Sequence, residues 1–300
     1  MSGIAVYLRE LRAPFLSVSA LPVLLAVAVA RCETGEWDPP LFWLTLAGAV
    51  LLHLGANTIN DWFDHRSGND EANIDFTSPF TGGSRLIQEG LITPRGVLIL
   101  SLSLFAAACA VGFALLVMRG PAILLFGAAG ITLGVLYTEP HAILAGRGFG
   151  EIAILVAFGL IAVGAYWVQT GGLTAQAIVA PLPLALLTTA IIIVNEFQDA
   201  RADEATGKRT LVVRLGGMRA VALFAAVTFG SYLPVIAGVA TRIMPAWTLL
   251  SLASLPLAVR AVTVAAAARG EPGRMAPANA ATILCHIVTG VVLISVYLLI

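Results

Sequence analysis

The chain has 300 residues, of which 59% are hydrophobic and 11% are charged, and its mean hydropathy is +0.93. A soluble domain is about half apolar and about a quarter charged, so this composition excludes an ordinary soluble protein and predicts a polytopic membrane protein. The formal net charge is zero and no basic block occurs, so we expect no nucleic-acid partner.

Long apolar runs divide the chain into nine predicted transmembrane helices. A bilayer core needs about 20 mostly apolar residues per helix, and lipid cannot satisfy the open backbone groups of isolated strands. The predicted helices lie near residues 14–30, 41–60, 96–118, 121–138, 150–168, 177–195, 220–240, 245–267 and 280–300. The sequence therefore predicts an all-α protein embedded in the lipid bilayer.

The basic residues predict the orientation of these helices. With a cytoplasmic N-terminus, only Arg31, Arg119 and Arg242 of the 17 basic residues fall on the outer side, which leaves fourteen inside. We therefore predict a protein of the cell inner or plasma membrane with a cytoplasmic N-terminus. The two longest loops, near 61–95 and 196–219, would then face the cytoplasm.

Two short motifs follow the second and the sixth predicted helices. "NDWFD" (60–64) and "NEFQD" (195–199) both read Asn-acid-x-x-Asp, and they lie 135 positions apart. A four-helix unit used twice, with a ninth helix appended, explains this spacing. We predict one membrane domain, residues 1–300, with pseudo-repeats at about 10–145 and 146–275 and a working site between them.

Polar side chains around each motif share one helix face. Asn57, Asp61 and Asp64 lie at positions i, i+4 and i+7. The second motif repeats the arrangement at intervals of four, with Asn195, Asp199 and Asp203. Ionisable residues at a membrane boundary are candidates for function, and these carboxylates would repel one another without a cation.

The residue types around the motifs favour magnesium and a diphosphate. Paired hard oxygen ligands favour Mg²⁺ over zinc, and substrate phosphates usually complete the coordination of Mg²⁺. Lys208, the only lysine of the chain, and Arg209 follow the second motif in "GKRTLVVRLG" (207–216), where they would contact an anionic leaving group. The alternative is that the acids are solvated helix ends, which leaves the repeated motif unexplained.

Longer stretches around the motifs resemble a known family. "NDWFDHRSGND" (60–70) and "NEFQDARADEATGKRT" (195–210) are similar to the two aspartate-rich motifs of the UbiA-type intramembrane prenyltransferases. "GGSRLIQEGLITP" (82–94), "LYTEP" (136–140) and "GRGFGE" (146–151) resemble the menaquinone-pathway enzymes that prenylate 1,4-dihydroxy-2-naphthoate. "RAPF" (12–15), Glu196 and Gln198 depart from the pattern of that group, which leaves the acceptor open.

The resemblance implies Mg²⁺-dependent transfer of a polyprenyl group from polyprenyl diphosphate to an aromatic acceptor. It implies that Mg²⁺ is held by Asp61, Asp64, Asp199 and Asp203, with Asn57, Asn60, Asn195 and Asp70 as further ligands. It implies diphosphate contacts from Lys208, Arg209, Arg201 and Asn57. Arg66 and Arg85 would hold a carboxylated acceptor or a phosphate, or would only anchor the inner side. Tyr137 would present its ring to an allylic cation, or would belong to an interfacial aromatic belt.

Two other functions stay open at this point. The acceptor would instead be hydroxybenzoate, homogentisate, a porphyrin-type ring such as haem, or a polar alcohol. A cation-coupled membrane transporter also uses repeats and carboxylates, but it places its acids near the middle of the membrane. The position of the acids along the helices therefore distinguishes the enzyme from the transporter.

Overall fold

The computed structural model describes residues 3–138, 144–269 and 271–300, and all regular structure in these ranges is helical. Glu139 and Pro140 of "LYTEP" lie outside the described residues. The α-helices of the first part are α1 (Gly3–Glu10), α2 (Ser17–Thr34), α3 (Pro39–Ser67), α4 (Asn69–Ala72), α5 (Pro94–Arg119), α6 (Ala122–Thr138) and α7 (Gly150–Thr170). Those of the second part are α8 (Ala175–Val179), α9 (Leu182–Ala205), α10 (Leu211–Leu215), α11 (Gly217–Gly230), α12 (Leu233–Ala240), α13 (Leu255–Ala268) and α14 (Ala276–Leu299).

Helices that are long enough to span a membrane occur along the whole described part of the chain. Eight helical segments there are long and apolar enough to cross a membrane, and a shorter apolar helix covers Ala122–Tyr137. The eight are Ser17–Thr34, Pro39–Ser67, Pro94–Arg119, Gly150–Thr170, Ala175–Ala205, Gly217–Ala240, Ala246–Ala268 and Ala276–Leu299. The prediction of an all-α polytopic membrane protein is confirmed, whereas its orientation and its pseudo-repeats stay predictions.

The helices that carry the motifs extend beyond the apolar runs. Helix α3 ends at Ser67 rather than near residue 60, because Gly68 adopts a left-handed conformation (φ 76°) and donates its N–H to the carbonyls of Asp64 and His65. Helix α9 likewise continues to Ala205. Both sets of aspartates therefore lie on regular helix, with the side-chain spacing that the sequence predicts.

Three of the later spans are interrupted. The span 175–205 breaks between α8 and α9, where Pro181 precedes α9 and Pro183 lies in its first turn. The span 217–240 breaks before α12, which has Pro234 at its start. The span 246–268 begins with a 3₁₀ helix, Ala246–Ser254, before α13. Proline is tolerated in the first turn of a helix but not in its interior, so each break coincides with a new helix start.

A common core joins the two parts of the chain. Helix α3 packs along α5, and α2 packs against α7 and α14. Leu25 of α2, Tyr166 of α7, Leu184 of α9 and Leu293 of α14 belong to one buried cluster. In the span 175–205, which contains α9, 72% of the residues in an 18-residue apolar window are buried, against 17% in the window of α5. Helix α9 is therefore central, and α5 presents its apolar surface to lipid.

Candidate active site

A cavity of about 250 Å³ lies between the two motif-bearing helices, α3 and α9, and residues of α2, α6 and α7 complete its wall. Its apolar lining includes Leu52 on α3 and Ile191 on α9. These two residues precede the motif aspartates by about two helical turns or more. Leu133, Phe158 and Ile161 add to the same apolar wall. The cavity therefore has a charged end and an apolar end.

Most of the predicted site residues line this cavity. They are Asn57, Asn60, Asp61, Asp64, Asp70, Tyr137, Asn195, Asp199, Asp203 and Lys208. The fold thus brings together the two motifs, which are 135 positions apart in the chain.

Each aspartate of the first motif accepts a hydrogen bond on one of its carboxylate oxygens. The backbone N–H of Ser84 donates to Asp61 Oδ2 at 2.8 Å, and a guanidinium nitrogen of Arg12 lies 3.9 Å from Asp61 Oδ1. A Cβ at Gly83, whose φ is +65°, would lie 2.8 Å from Asp61 Oδ1, so only glycine lets the loop approach this carboxylate. Asn60 donates its amide to Asp64 Oδ2.

The aspartates of the second motif are held from the first part of the chain. Asn73 Nδ2 donates to Asp199 Oδ1 at 2.6 Å, and Asn69 Nδ2 donates to Asp203 Oδ1 at 2.9 Å. Lys208 Nζ lies 3.3 Å from the same Asp203 oxygen. Asp203 is only 1% exposed, so these partners, rather than water, stabilise its negative charge.

The loop after α9 fixes the direction of Lys208. The backbone N–H of Lys208 donates to the carbonyl of Asp203 at 2.7 Å, and that of Leu211 donates to Glu151 Oε1 at 2.9 Å. Burial lowers the pKa of Lys208, but the carboxylates of Asp203 and Asp64 raise it more, so this pKa lies well above its usual range. The side chain is therefore a permanent cation at the charged end of the cavity.

Asp70 lies at the same end, just beyond α3. Burial, followed by the neighbouring carboxylates of Asp64 and Asp61, raises the pKa of Asp70 to about 8. Gln88 Nε2 donates to its Oδ2 at 3.1 Å. At neutral pH in the absence of a further cation, Asp70 is thus largely protonated, which reduces the repulsion within the cluster.

The carboxylates at the charged end of the cavity fit a Mg²⁺ ion whose coordination shell is completed by phosphate oxygens of a substrate. Asp203 Oδ2 is buried without a hydrogen-bond partner among the described residues, and the ammonium of Lys208 already marks a place where a cation is stabilised. No group of three or more His, Cys, Asp or Glu side chains in the described ranges converges closely enough to hold a metal alone. Mg²⁺ commonly takes only one or two carboxylates and completes its shell with phosphate oxygens and water.

Four predicted arginines lie apart from the cavity lining in the described structure: Arg66, Arg85, Arg201 and Arg209. Arg66 stacks over the ring of Trp62 at 4.8 Å from the centroid, and Arg85 stacks over Phe76 at 4.5 Å. Arg85 also donates to the carbonyl oxygen of Asp70, so it supports the site from behind.

The other two arginines face solvent. Arg201 is 74% exposed and pairs with Asp75 at 3.0 Å. Arg209 is exposed, and its carbonyl accepts a hydrogen bond from Arg214 Nε at 2.8 Å. Lys208 and Arg209 are adjacent in sequence, but only Lys208 lines the cavity.

Several residues that line the cavity are not among the predicted site residues. Asn69 and Asn73 are neutral residues inside a run of acids, and their spacing of four was the available signal. Arg12 lines the cavity from the chain before α2, and no spacing rule connects it with α3. Ser19 Oγ and His53 Nδ1, which are 2.6 Å apart, form a polar pair in the wall between α2 and α3.

The acids sit at the ends of their helices. Asp61 and Asp64 lie in the last two turns of α3, which ends at Ser67. Asp199 and Asp203 lie in the last two turns of α9, which ends at Ala205. This position suits a water-soluble head group at the membrane surface better than an ion that crosses at mid-membrane.

Comparison with known proteins identifies the family. The model of the UbiA prenyltransferase family matches residues 19–298. A 1,4-dihydroxy-2-naphthoate octaprenyltransferase of Mycobacterium leprae (strain TN) is 31% identical over 263 residues, which cover 86% of this chain and 84% of that protein.

Solved structures share the fold at low sequence identity. The apo structure of a UbiA homologue from Aeropyrum pernix K1 has a TM-score of 0.69 at 16% identity, over 93% of this chain and 97% of that one. A UbiA homologue from Archaeoglobus fulgidus bound to GPP and Mg²⁺ has a TM-score of 0.62 at 17% identity, over 97% and 99%. With a family match that covers nearly the whole chain, this protein belongs to the UbiA prenyltransferase family and is an integral-membrane prenyltransferase.

Proposed function

We propose that this enzyme transfers a polyprenyl group from polyprenyl diphosphate to 1,4-dihydroxy-2-naphthoate, a step of menaquinone biosynthesis. The observation that carries the reaction is the cavity itself, in which five aspartates and Lys208 lie at one end and apolar side chains line the other. The naphthoate is favoured by the similarity to the Mycobacterium leprae octaprenyltransferase.

The charged end of the cavity would receive the diphosphate. Carboxylates of Asp61, Asp64, Asp199 and Asp203 would hold Mg²⁺ together with the phosphate oxygens of the substrate, and the bound metal would offset the charge of the departing diphosphate. Lys208 would contact a diphosphate oxygen directly. Asn57, Asn60 and Asn195 line the same end and would add neutral amide contacts. The chain thus neutralises the leaving group where it departs.

The apolar end would receive the prenyl chain and exclude water. As the C1–O bond of the prenyl group breaks, its electron pair leaves with the diphosphate, and an acceptor ring carbon forms the new bond to C1. The ring then loses a proton or, at a carboxylated carbon, carbon dioxide. The ring of Tyr137 lines the cavity and would face the developing allylic cation. Because water would capture this cation as an alcohol, the apolar wall favours alkylation over hydrolysis.

The cellular setting belongs to the same proposal. The excess of basic residues that a cytoplasmic N-terminus puts on the inner side supports a charged cavity end that faces the cytoplasm, in the cell inner or plasma membrane. The two motif helices would derive from pseudo-repeats at about 10–145 and 146–275, which form one domain across residues 1–300.

The acceptor is tested with purified protein in detergent. One radiolabelled polyprenyl diphosphate is offered with 1,4-dihydroxy-2-naphthoate, hydroxybenzoate, homogentisate or a porphyrin-type ring. We expect Mg²⁺-dependent product with the naphthoate. Product with another ring alone would keep the reaction class and refute the acceptor.

The metal site is tested separately from the acceptor. Asp61→Asn and Asp199→Asn remove one charge from each half of the site while they keep the side-chain volume. We expect each to abolish Mg²⁺-dependent turnover with little loss of folded protein. Retained turnover in both variants would falsify the metal-site assignment.

A further inference from the structure

The first residue of the short helix α4 and the residue that caps its end carry two amide side chains that contact α9. Asn69 begins α4 and Asn73 follows its last residue, and the two are only 4% and 3% exposed. Their spacing of four matches the spacing of Asp199 and Asp203 on α9, and the contacts run antiparallel, from Asn69 to Asp203 and from Asn73 to Asp199. Two buried amides therefore meet two carboxylates in register.

We propose that Asn69 and Asn73 are positioning residues that orient the second-half carboxylates toward the bound cation and diphosphate. The inference rests on the proposed function, because it takes Asp199 and Asp203 as metal ligands. A residue that donates a hydrogen bond to a metal-binding carboxylate determines which of its oxygens points to the metal. Removal of such a residue typically weakens metal affinity or activity about 10–100-fold.

The hydrogen bonds select one oxygen of each carboxylate. Asn73 occupies Asp199 Oδ1 at 2.6 Å, and Asn69 occupies Asp203 Oδ1 at 2.9 Å. Asp203 Oδ2 is left buried with no hydrogen-bond partner in the described part of the chain. A buried carboxylate oxygen without a donor is costly unless a ligand supplies one. The selection therefore leaves an oxygen for the cation.

The backbone holds α4 in place for this contact. Gly68, at φ 76°, turns the chain at the end of α3 and begins α4. The backbone N–H of Asn73 donates to the carbonyls of Asn69 and Asp70, which closes the helix. Asn69 Nδ2 also donates to Thr206 Oγ1 at 3.0 Å, just after α9 ends. Asn69 and Asn73 thus join the two halves of the site without adding a charge to it.

Asparagine suits these two positions for an electrostatic reason. Asp61, Asp64 and Asp70 already contribute carboxyl groups to the same end of the cavity. An acid at position 69 or 73 would add like-charge repulsion, and a lysine would compete with the metal for Asp199 and Asp203. An amide donates a hydrogen bond to a carboxylate and leaves its charge available to a cation.

The test measures metal binding directly with Asn69→Ala and Asn73→Ala. Mn²⁺ is titrated in the presence of inorganic diphosphate and followed by electron paramagnetic resonance in detergent. We expect each variant to bind Mn²⁺ at least 10-fold more weakly than the wild type. Asn73→Ser, which retains a shorter donor, should fall between the wild type and Asn73→Ala.

Glu71→Gln is the matched control, because Glu71 lies on α4 between the two amides and pairs with His65 at 2.8 Å instead of with α9. This variant should bind Mn²⁺ like the wild type. Unchanged Mn²⁺ affinity in both alanine variants, or a loss of metal-free thermal stability alone, would overturn the positioning role. A wild type that binds Mn²⁺ and diphosphate but does not prenylate the naphthoate would refute the proposed acceptor and leave the positioning result standing.

Discussion

Replacement of Lys208 by methionine tests the electrostatics of the site most directly. Lys208 Nζ lies 3.3 Å from Asp203 Oδ1, and the two side chains are 31% and 1% exposed. Methionine retains most of the apolar stem and removes the charge. The variant therefore leaves a nearly fully buried carboxylate for which, among the described residues, the amide of Asn69 is the remaining hydrogen-bond donor.

The size of the effect follows from the distance and the burial. Two unit charges 3.3 Å apart attract each other by roughly 5 kcal/mol at an effective dielectric constant of about 20. Desolvation of the ammonium, which the variant does not incur, offsets part of this attraction. Loss of one partner from a buried pair typically costs about 3–5 kcal/mol. We expect the free energy of unfolding in EDTA to fall by about 3 kcal/mol.

Two measurements on the same protein check this expectation. Unfolding in detergent with EDTA gives the stability, and steady-state turnover gives the KM for polyprenyl diphosphate. We expect the KM to rise at least 10-fold, because the diphosphate loses a charged hydrogen bond of about 1.5–3 kcal/mol.

The exposed ion pair between Arg201 and Asp75 supplies the control. Its distance of 3.0 Å is shorter, but Arg201 is 74% exposed, so Arg201→Gln should cost no more than about 1 kcal/mol. Equal stability of Lys208→Met and wild type in EDTA, together with an unchanged KM, would refute this account of the buried pair.

Three further predictions each concern the surroundings of a single residue. Gly83→Ala should lower turnover at least 10-fold, because its Cβ would lie 2.8 Å from Asp61 Oδ1 at a φ of +65°; a turnover equal to wild type would show that the loop can move away. Arg209→Gln should change the KM for polyprenyl diphosphate less than about threefold, since Arg209 is exposed and absent from the described cavity lining; a loss like that of Lys208→Met would contradict this placement. Burial, followed by the charge of Asp61, raises the pKa of Glu10 to about 7. The folded state therefore binds this proton more tightly than the unfolded state does. We expect the free energy of unfolding to fall as pH rises from about 5 to about 8. In metal-free protein, Glu10→Gln should flatten this decline, and equal pH profiles of variant and wild type in unfolding experiments would reject the assignment.

The transmembrane architecture was predictable because hydrophobic length is encoded locally. Apolar runs mark the spans, and the confirmed all-α fold follows from what lipid requires of the backbone. The ends of the motif helices were less accessible. The apolar run of α3 stops near residue 60, but the helix stops at Ser67, where Gly68 takes a left-handed conformation. A backbone cap, rather than the loss of hydrophobicity, determines that end.

The cavity residues were predictable where a helical repeat connects them. Asn57, Asp61 and Asp64 follow the period of α3, so one face of a helix was sufficient to group them. Lys208 and Arg209 lie in a loop without such a period, and only the backbone contacts of that loop distinguish the inward lysine from the exposed arginine. Asn69 and Asn73 share a spacing of four, but their contacts with Asp203 and Asp199 depend on how α4 packs against α9, which that spacing does not determine.

The balance of charge in the cavity predicts that the diphosphate substrate binds tightly only when Mg²⁺ is present. Among the described residues, six carboxyl groups line the cavity, from Asp61, Asp64, Asp70, Glu196, Asp199 and Asp203, against the two permanent cations Arg12 and Lys208. Acidic side chains therefore outnumber the permanent cations in the described cavity lining.

A diphosphate that entered this cavity alone would add like charge at low dielectric, where repulsion is strong. We therefore expect a radiolabelled, non-reactive polyprenyl thiodiphosphate to bind at least 100-fold more weakly in EDTA than in Mg²⁺, as measured by equilibrium binding in detergent. Polyprenyl alcohol, which lacks the diphosphate, should bind equally in both conditions because it contacts only the apolar end. Tight binding of the thiodiphosphate in EDTA would mean that Arg12 and Lys208 suffice, and that the aspartates do not oppose the anion.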